Sequence, residues 1–173
     1  MNRSDHHLYL AYGSNLLPDR LIERVGVVQT VSTVALPGWR LAFNKRGTDG
    51  SAKANLVPVP GSNEQAHGVV YRLARHQLPL LDGFEGCGDG YETLWLECEV
   101  EGRRHPVLTY LAPSHWQAGH LRPYDWYRDL VVAGACRHRF PAAYVRSLAS
   151  VAVSKDPNSA RAIRARCLLE ALD

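Results

Sequence analysis

The sequence lacks any apolar run of about 18 residues, the length that crosses a bilayer as a helix, so no membrane-spanning helix is expected. Its opening residues, MNRSDHH, carry no apolar stretch, and no secretory signal is expected from them. The four cysteines, Cys87, Cys98, Cys136 and Cys167, lie far apart with no C-x-x-C pair. Separate thiols in a reducing cytoplasm are expected, not a disulfide framework. The histidines scatter without ligand spacing, and Cys136-x-His138 alone does not make a zinc site, so no metal is expected. Charge of one sign is also scarce. The net charge of +3 is too mild for a nucleic-acid partner without a clustered basic face. The densest basic run, RAIRAR, spaces its arginines as a solvated helix face does. No G-x-G-x-x-G fingerprint, Walker loop or G-x-S-x-G elbow is present. No cofactor is expected, and no serine nucleophile of that type.

What remains is an ordinary globular chain. With 173 residues, 46% of them apolar and 21% charged, one domain spanning 1–173 with its own core is expected. LYLAY is a short apolar run closed by glycine, the mark of a strand. LLPDRLIERVG has Pro18 near its start and Gly26 after its end, which predicts a helix. VQTVSTVALPG and WRLAFNK alternate as half-buried strands do, and RGTDGSAK is a polar loop. ANLVPVPGSN begins as a strand that Pro58 and Pro60 confine to an edge or an exit turn. AHGVVYRL predicts a further strand, and ARHQLPLLDGFEG a short helix ending near Gly83 or Gly86. YETLWLECEVEG and RRHPVLTYLA alternate about Glu101-Gly102, which predicts a hairpin. From Pro123 the pattern turns helical, with a last helix capped by Asn158 or Ser159 and running through Leu172. About six strands followed by two or three helices argue for an antiparallel-rich α+β domain.

Two stretches stand out. In YLAYGSNL a strand stops at Gly13-Ser14-Asn15 and a helix begins at once. Such a junction presents the first helical N–H groups to an anion, and it also occurs as a plain capped turn. In LLDGFEGCGDGYE four glycines surround Asp82, Glu85, Asp89 and Glu92. A carboxylate sheltered in a cleft there can act as a general acid/base. The alternatives are a solvated turn or a calcium loop, and the EF-hand spacing is missing.

Taken in order, YLAYGSNL, LAFNKRG, ANLVPVPG, HGVVYRL, LDGFEGCGDGYE and RPYDWYRDLVVAGACRHRFPAAYVRSL resemble the γ-glutamylcyclotransferase family, from about Leu8 to Leu148. The family's Y-x-x-x-L-x-x-G-A helix is matched by Tyr127, Gly134 and Ala135, with Val131 where leucine is usual. The resemblance implies a small mixed, antiparallel-rich β-barrel flanked by helices, with a cavity for a γ-glutamyl group. It implies Glu85 as the catalytic residue and Tyr12, Gly13, Ser14, Asn15 and Leu16 as the substrate-holding loop. Tyr91 and Tyr127 are implied as pocket tyrosines, and Tyr144 as a further lining residue.

The reaction implied is release of an amine or amino acid from a small γ-glutamyl compound, with formation of 5-oxoproline. The substrate's own α-amine attacks its γ-carbonyl, so the protein supplies no nucleophile. Glu85 would move the protons, and backbone N–H groups of Gly13, Ser14, Asn15 and Leu16 would hold a carboxylate or the oxyanion. Other roles stand beside these. Asp82 is a second candidate base, Tyr91 and Tyr127 can be core aromatics, and Cys87 a packing residue. The domain can also be a non-catalytic small-molecule-binding or interaction module on the same fold. A glutathione-specific branch has leucine after YGS; Asn15 points instead to γ-glutamyl amino acids or γ-glutamylamines.

Overall fold

A computed structural model describes residues 5–170. The strand β1 (His6–Ala11) lies at the centre of a five-stranded sheet. Its last three residues are fully covered on both faces, which is why LYLAY reads as one continuous apolar run. The other strands are β2 (Gln29–Pro37), β5 (Gln65–Ala74), β6 (Glu92–Val100) and β7 (Arg103–Leu111), in the order β2-β5-β1-β7-β6. β1 runs antiparallel to β5 and parallel to β7, so Tyr9 faces Tyr71 on one side and Leu108 on the other. The sheet curls until its edge strands β2 and β6 approach each other, giving a half-barrel. Among the described residues no ladder joins the two edges.

A separate ribbon pairs β3 (Trp39–Arg46) with β4 (Ala52–Pro58). β4 stops at Pro58 and stays out of the main sheet, as its prolines require. The ribbon is tied down by the Ala112 N–H, which donates to Asn55 Oδ1 at 2.9 Å, and by the Ala52 N–H, which donates to Arg122 O at 3.0 Å. Seven strands appear among the described residues, one for each segment with a strand pattern, against the overall expectation of about six. The β6–β7 hairpin turns on Glu101 and Gly102, both at positive φ, the geometry of a two-residue loop that matches strand twist.

The helices pack around the sheet. One 3-10 turn, Ser14–Leu16, precedes α1 (Pro18–Val25), so the predicted helix starts later than its hydrophobic pattern. α2 (Leu78–Glu85) ends at Gly86, whose left-handed φ of 62° makes it the C-cap. α3 (Asp125–Arg137), α4 (Ala142–Ala149) and α5 (Ser159–Glu170) follow. Asn158 Oδ1 accepts the Arg161 N–H at 3.0 Å and caps α5; its expected extension through Leu172 lies outside the described residues.

Two contacts place the loop that follows β1. The Leu16 carbonyl accepts the Tyr71 hydroxyl at 3.0 Å and lies 2.8 Å from His138 Nε2. On α3, Gly134 lets the helix press directly on the loop: a Cβ there would sit 2.5 Å from Leu16 Cβ and 2.6 Å from the Leu17 nitrogen. Gly134→Ala must therefore move backbone and should lower stability by about 1–3 kcal/mol. Gly83, inside α2, has nothing within 4 Å of such a Cβ, so Gly83→Ala should leave stability unchanged or raise it by about 0.4–1 kcal/mol. Thermal unfolding of the two variants checks this; equal melting temperatures would contradict the packing.

Candidate active site

β1 ends in a cavity. Tyr12 and Gly13 leave the strand, and the 3-10 turn at Ser14 and Asn15 forms one wall. Gly13 is at φ −106°, so its need is for space rather than for a left-handed backbone. A Cβ at Gly13 would meet Ala54 Cβ at 3.0 Å. The N–H groups of Ser14 and Asn15, in the first turn, have no intrahelical acceptor. The Leu16 N–H does not share that freedom, because it donates to Gly13 O at 3.0 Å. Leu16 is fully buried beneath the loop and does not line the cavity, which corrects its expected place among the substrate-holding residues.

Glu85, the last residue of α2, lines the cavity with its side chain 14% exposed. The C-terminal end of a helix is an unfavourable place for a carboxylate. It is offset here by two donors on one oxygen: Asn15 Nδ2 at 2.9 Å and Arg24 Nη1 at 3.2 Å from Oε1. Arg24 Nη1 also donates to Asn15 Oδ1 at 2.9 Å, and Asn15 Nδ2 reaches the Tyr9 hydroxyl at 2.9 Å. Glu85, Arg24, Asn15 and Tyr9 thus form a closed network. Among the described residues no donor is bonded to Oε2. The orientation of the carboxylate is fixed through Oε1.

Tyrosines make the rest of the wall. Tyr91 donates to Ala54 O at 2.5 Å, and the Tyr127 hydroxyl accepts the Ala54 N–H at 3.1 Å. Both backbone groups of one β4 residue are thereby held against the cavity. Burial pushes the hydroxyls of Tyr9, Tyr12, Tyr91 and Tyr127 above the ordinary tyrosine range, and the Glu85 charge adds to it. At neutral pH they are uncharged O–H groups.

The structure brings Glu85, Tyr12, Gly13, Ser14, Asn15, Tyr91 and Tyr127 together around one space. Asp82 does not line it. Its Oδ1 accepts the Tyr110 hydroxyl at 2.5 Å, while the Tyr110 carbonyl accepts the hydroxyl of Tyr12. Asp82 supports the wall from behind. Tyr144 lines a different groove, between β3 and α4, and meets His67 edge to face with ring centroids 4.7 Å apart. Three lining residues went unnamed by the sequence: Tyr9, Ala54 and Tyr110. Arg24 was also missed. Its signal was the Arg20–Arg24 spacing of four on the helix after the loop, which puts both cations on one face.

Beside the cavity opens a chamber of about 160 Å³ that shares Ser14, Glu85, Tyr91 and Tyr127 with it. Arg20, Arg24, Lys45 and Lys53 enter its wall, against the two carboxylates Asp49 and Glu85. Lys53 Nζ is 2.7 Å from Asp49 Oδ2 and lies over the Tyr127 ring.

Residues 9–129 match the family described as gamma-glutamyl cyclotransferase, AIG2-like. The human protein named gamma-glutamylcyclotransferase is 28% identical over 152 residues, covering 83% of this chain and 78% of its own. Bovine gamma-glutamylaminecyclotransferase is 33% identical over 76 residues, 40% of this chain and 45% of its own. A solved structure called gamma-glutamyl cyclotransferase shares the fold with a TM-score of 0.78 at 22% identity, covering 91% of this chain and 97% of that one.

The Arg24–Glu85 contact yields a direct test. Arg24→Met leaves Glu85 with Asn15 as the remaining donor of the two and should cost about 1.5–3 kcal/mol, the range of a hydrogen bond to a charged group. Glu85→Gln added to it should recover part of that loss, so a double-mutant cycle by chemical denaturation should show a coupling of about 0.5–3 kcal/mol. Additive effects would mean that the two side chains do not hold each other.

Proposed function

The chain belongs to the gamma-glutamyl cyclotransferase, AIG2-like family, and from that premise we propose that it releases an amine or amino acid from a small γ-glutamyl compound as 5-oxoproline forms. The observation that carries this is Glu85, held through one oxygen by Arg24 and Asn15 at the wall of a tyrosine-lined cavity. A side chain so fixed leaves its second oxygen toward the cavity as a site where a proton can be taken and returned.

The steps follow from the chemistry of the substrate. Its α-ammonium gives a proton to the Glu85 carboxylate, and the freed amine attacks the γ-carbonyl carbon. A C–N bond forms, a five-membered ring closes, and the carbonyl oxygen takes up negative charge. The hydroxyls of Tyr9 and Tyr127, which accept in the bonds given above, are the donors available to that oxyanion, while the N–H groups of Ser14 and Asn15 face the α-carboxylate. When the tetrahedral intermediate collapses, the bond to the leaving nitrogen breaks and Glu85 returns the first proton to it. Glu85 then takes the second ammonium proton from the ring nitrogen, which becomes the lactam N–H, and passes it to the released amine. Holding amine and carbonyl in contact supplies much of the rate, since effective molarities for oriented groups reach about 10⁵–10⁸ M. The protein therefore needs no nucleophile of its own.

Glu85→Gln keeps the volume of the side chain and an oxygen for Arg24 and Asn15, yet cannot accept the ammonium proton. It should fold and lose 5-oxoproline formation from γ-glutamyl-alanine by about 10²–10⁴ or more, because one group serves both transfers. Asp82→Asn keeps an acceptor for Tyr110 and should retain most activity. If the second variant is dead and the first active, the wrong carboxylate carries the proton. Wild-type protein that forms no 5-oxoproline would leave a binding module as the function.

A further inference from the structure

The chamber holds more positive charge than its own carboxylates compensate. Asp49 is taken by Lys53 and Glu85 by Arg24, at 2.7 and 3.2 Å. Lys45, on β3, is 7% exposed and forms no hydrogen bond or ion pair of its side chain among the described residues. Its ammonium lies 4.8 Å from the centroid of Tyr91 and 5.5 Å from that of Trp116. Arg20 is similar. Its side chain is 20% exposed, its Nε is buried without a partner, and among the described residues its ion pair is with Glu23 at 3.6 Å, itself mostly in solvent. Burial, with Arg24 nearby, pulls the Arg20 guanidinium down to about 10, and burial lowers the Lys45 ammonium as well. The space around Lys45 is kept open by Gly90, at φ 143°, where a Cβ would stand 3.0 Å from Nζ. A buried cation without a counter-charge is costly, and a bound anion removes that cost.

We propose that Lys45 and Arg20 form an anion subsite that takes the carboxylate of the leaving group, making a γ-glutamyl amino acid a better substrate than a γ-glutamylamine. This rests on the cyclotransferase reading above. Size assigns the carboxylate to the leaving group. The cavity at Glu85 has a free volume of about 30 Å³, room for about two waters, against about 160 Å³ in the chamber. In the folded substrate the α-carboxylate and the leaving group diverge from the closing ring. The three-atom carboxylate suits the cavity beside Ser14 and Asn15, and the bulkier amino acid suits the chamber. There its carboxylate meets Lys45, which has no ion pair among the described residues, and Arg20, paired only with the exposed Glu23, while its nitrogen stays within reach of Glu85, which both spaces share.

A matched pair of substrates tests this on the full chain. γ-Glutamyl-alanine and γ-glutamyl-alaninamide differ in one charge on the leaving group. Wild-type kcat/KM, measured as 5-oxoproline formed, should favour the alanine compound by about tenfold or more, the range of a charge-assisted hydrogen bond. Lys45→Met should remove most of that preference, slowing the alanine compound by about tenfold more than the alaninamide. Lys45→Arg should keep the preference, and Arg20→Gln should reduce it. Equal losses on both substrates would overturn the subsite, because Lys45 would then serve the γ-glutamyl half or the packing. A wild-type enzyme that turns over both compounds equally would also overturn it. If neither compound gives 5-oxoproline, the cyclotransferase reading fails and the subsite with it. Should Lys45→Met not fold, Arg20→Gln decides by the same ratio.

Discussion

A carboxylate at the end of a helix, mostly out of water, stands only where cationic and amide donors reach it. For Glu85 those donors come from Asn15 and Arg24, 70 and 61 residues earlier in the chain. Much of the fold's detail follows from bringing those three residues together. β1 has to end beneath α2, and the loop after it has to present Asn15 on one side while its carbonyl at Leu16 is pinned on the other by Tyr71 and His138. α1 has to run so that Arg24, two turns along, faces α2. Gly134 allows α3 to close over the back of the same loop. A shift of the loop by one residue would place Leu16 where Asn15 now bonds Glu85.

The two spaces that share Glu85 have opposite characters, and burial produces both. In the cavity it acts on phenols, which respond by keeping their protons and remain neutral donors. In the chamber it acts on ammonium and guanidinium groups, which Coulomb contact with Glu85 and Asp49 helps to keep charged. Neutral donors suit an oxyanion that exists for an instant, because they impose no permanent field on the resting state. Fixed cations suit a carboxylate that is charged throughout. The ribbon of β3 and β4 joins the two, since Ala54 ties it to Tyr91 and Tyr127 while Lys45 and Lys53 project from it into the chamber.

The strands were legible because alternation reports burial directly, and the hairpin at Glu101-Gly102 because its geometry admits few residues. The loop at Gly13 and the glycine-rich stretch holding Asp82, Glu85, Asp89 and Glu92 stood out as short motifs in which small residues crowd polar ones, and the resemblance singled out Glu85 among the four carboxylates. Tyr9 and Tyr110 were not, although their rings lie 6.0 Å apart in the cavity wall. They come from strands a hundred residues apart, and the parallel pairing of β1 with β7 that unites them leaves no periodic trace in either segment. Leu16 was misplaced because a loop of one 3-10 turn consumes its N–H, which the letters SNL do not reveal. Tyr144 was misplaced for a similar reason: α4 presents it to β5 and His67 rather than to the loop. Lys45 sits in an apolar alternating strand, where a lysine normally marks the solvent face, and the Phe43/Lys45 irregularity in the ladder accompanies its burial.

The central claim is that the substrate supplies its own nucleophile while Glu85 only moves protons. Turnover of γ-glutamyl-alanine in ¹⁸O-water, with products read by mass spectrometry, tests it most directly. The account predicts alanine and 5-oxoproline in equal amounts, with no ¹⁸O in the 5-oxoproline beyond slow background exchange. Glutamate carrying ¹⁸O in its γ-carboxylate as the first product would contradict it, because water and not the α-amine would then have attacked the carbonyl.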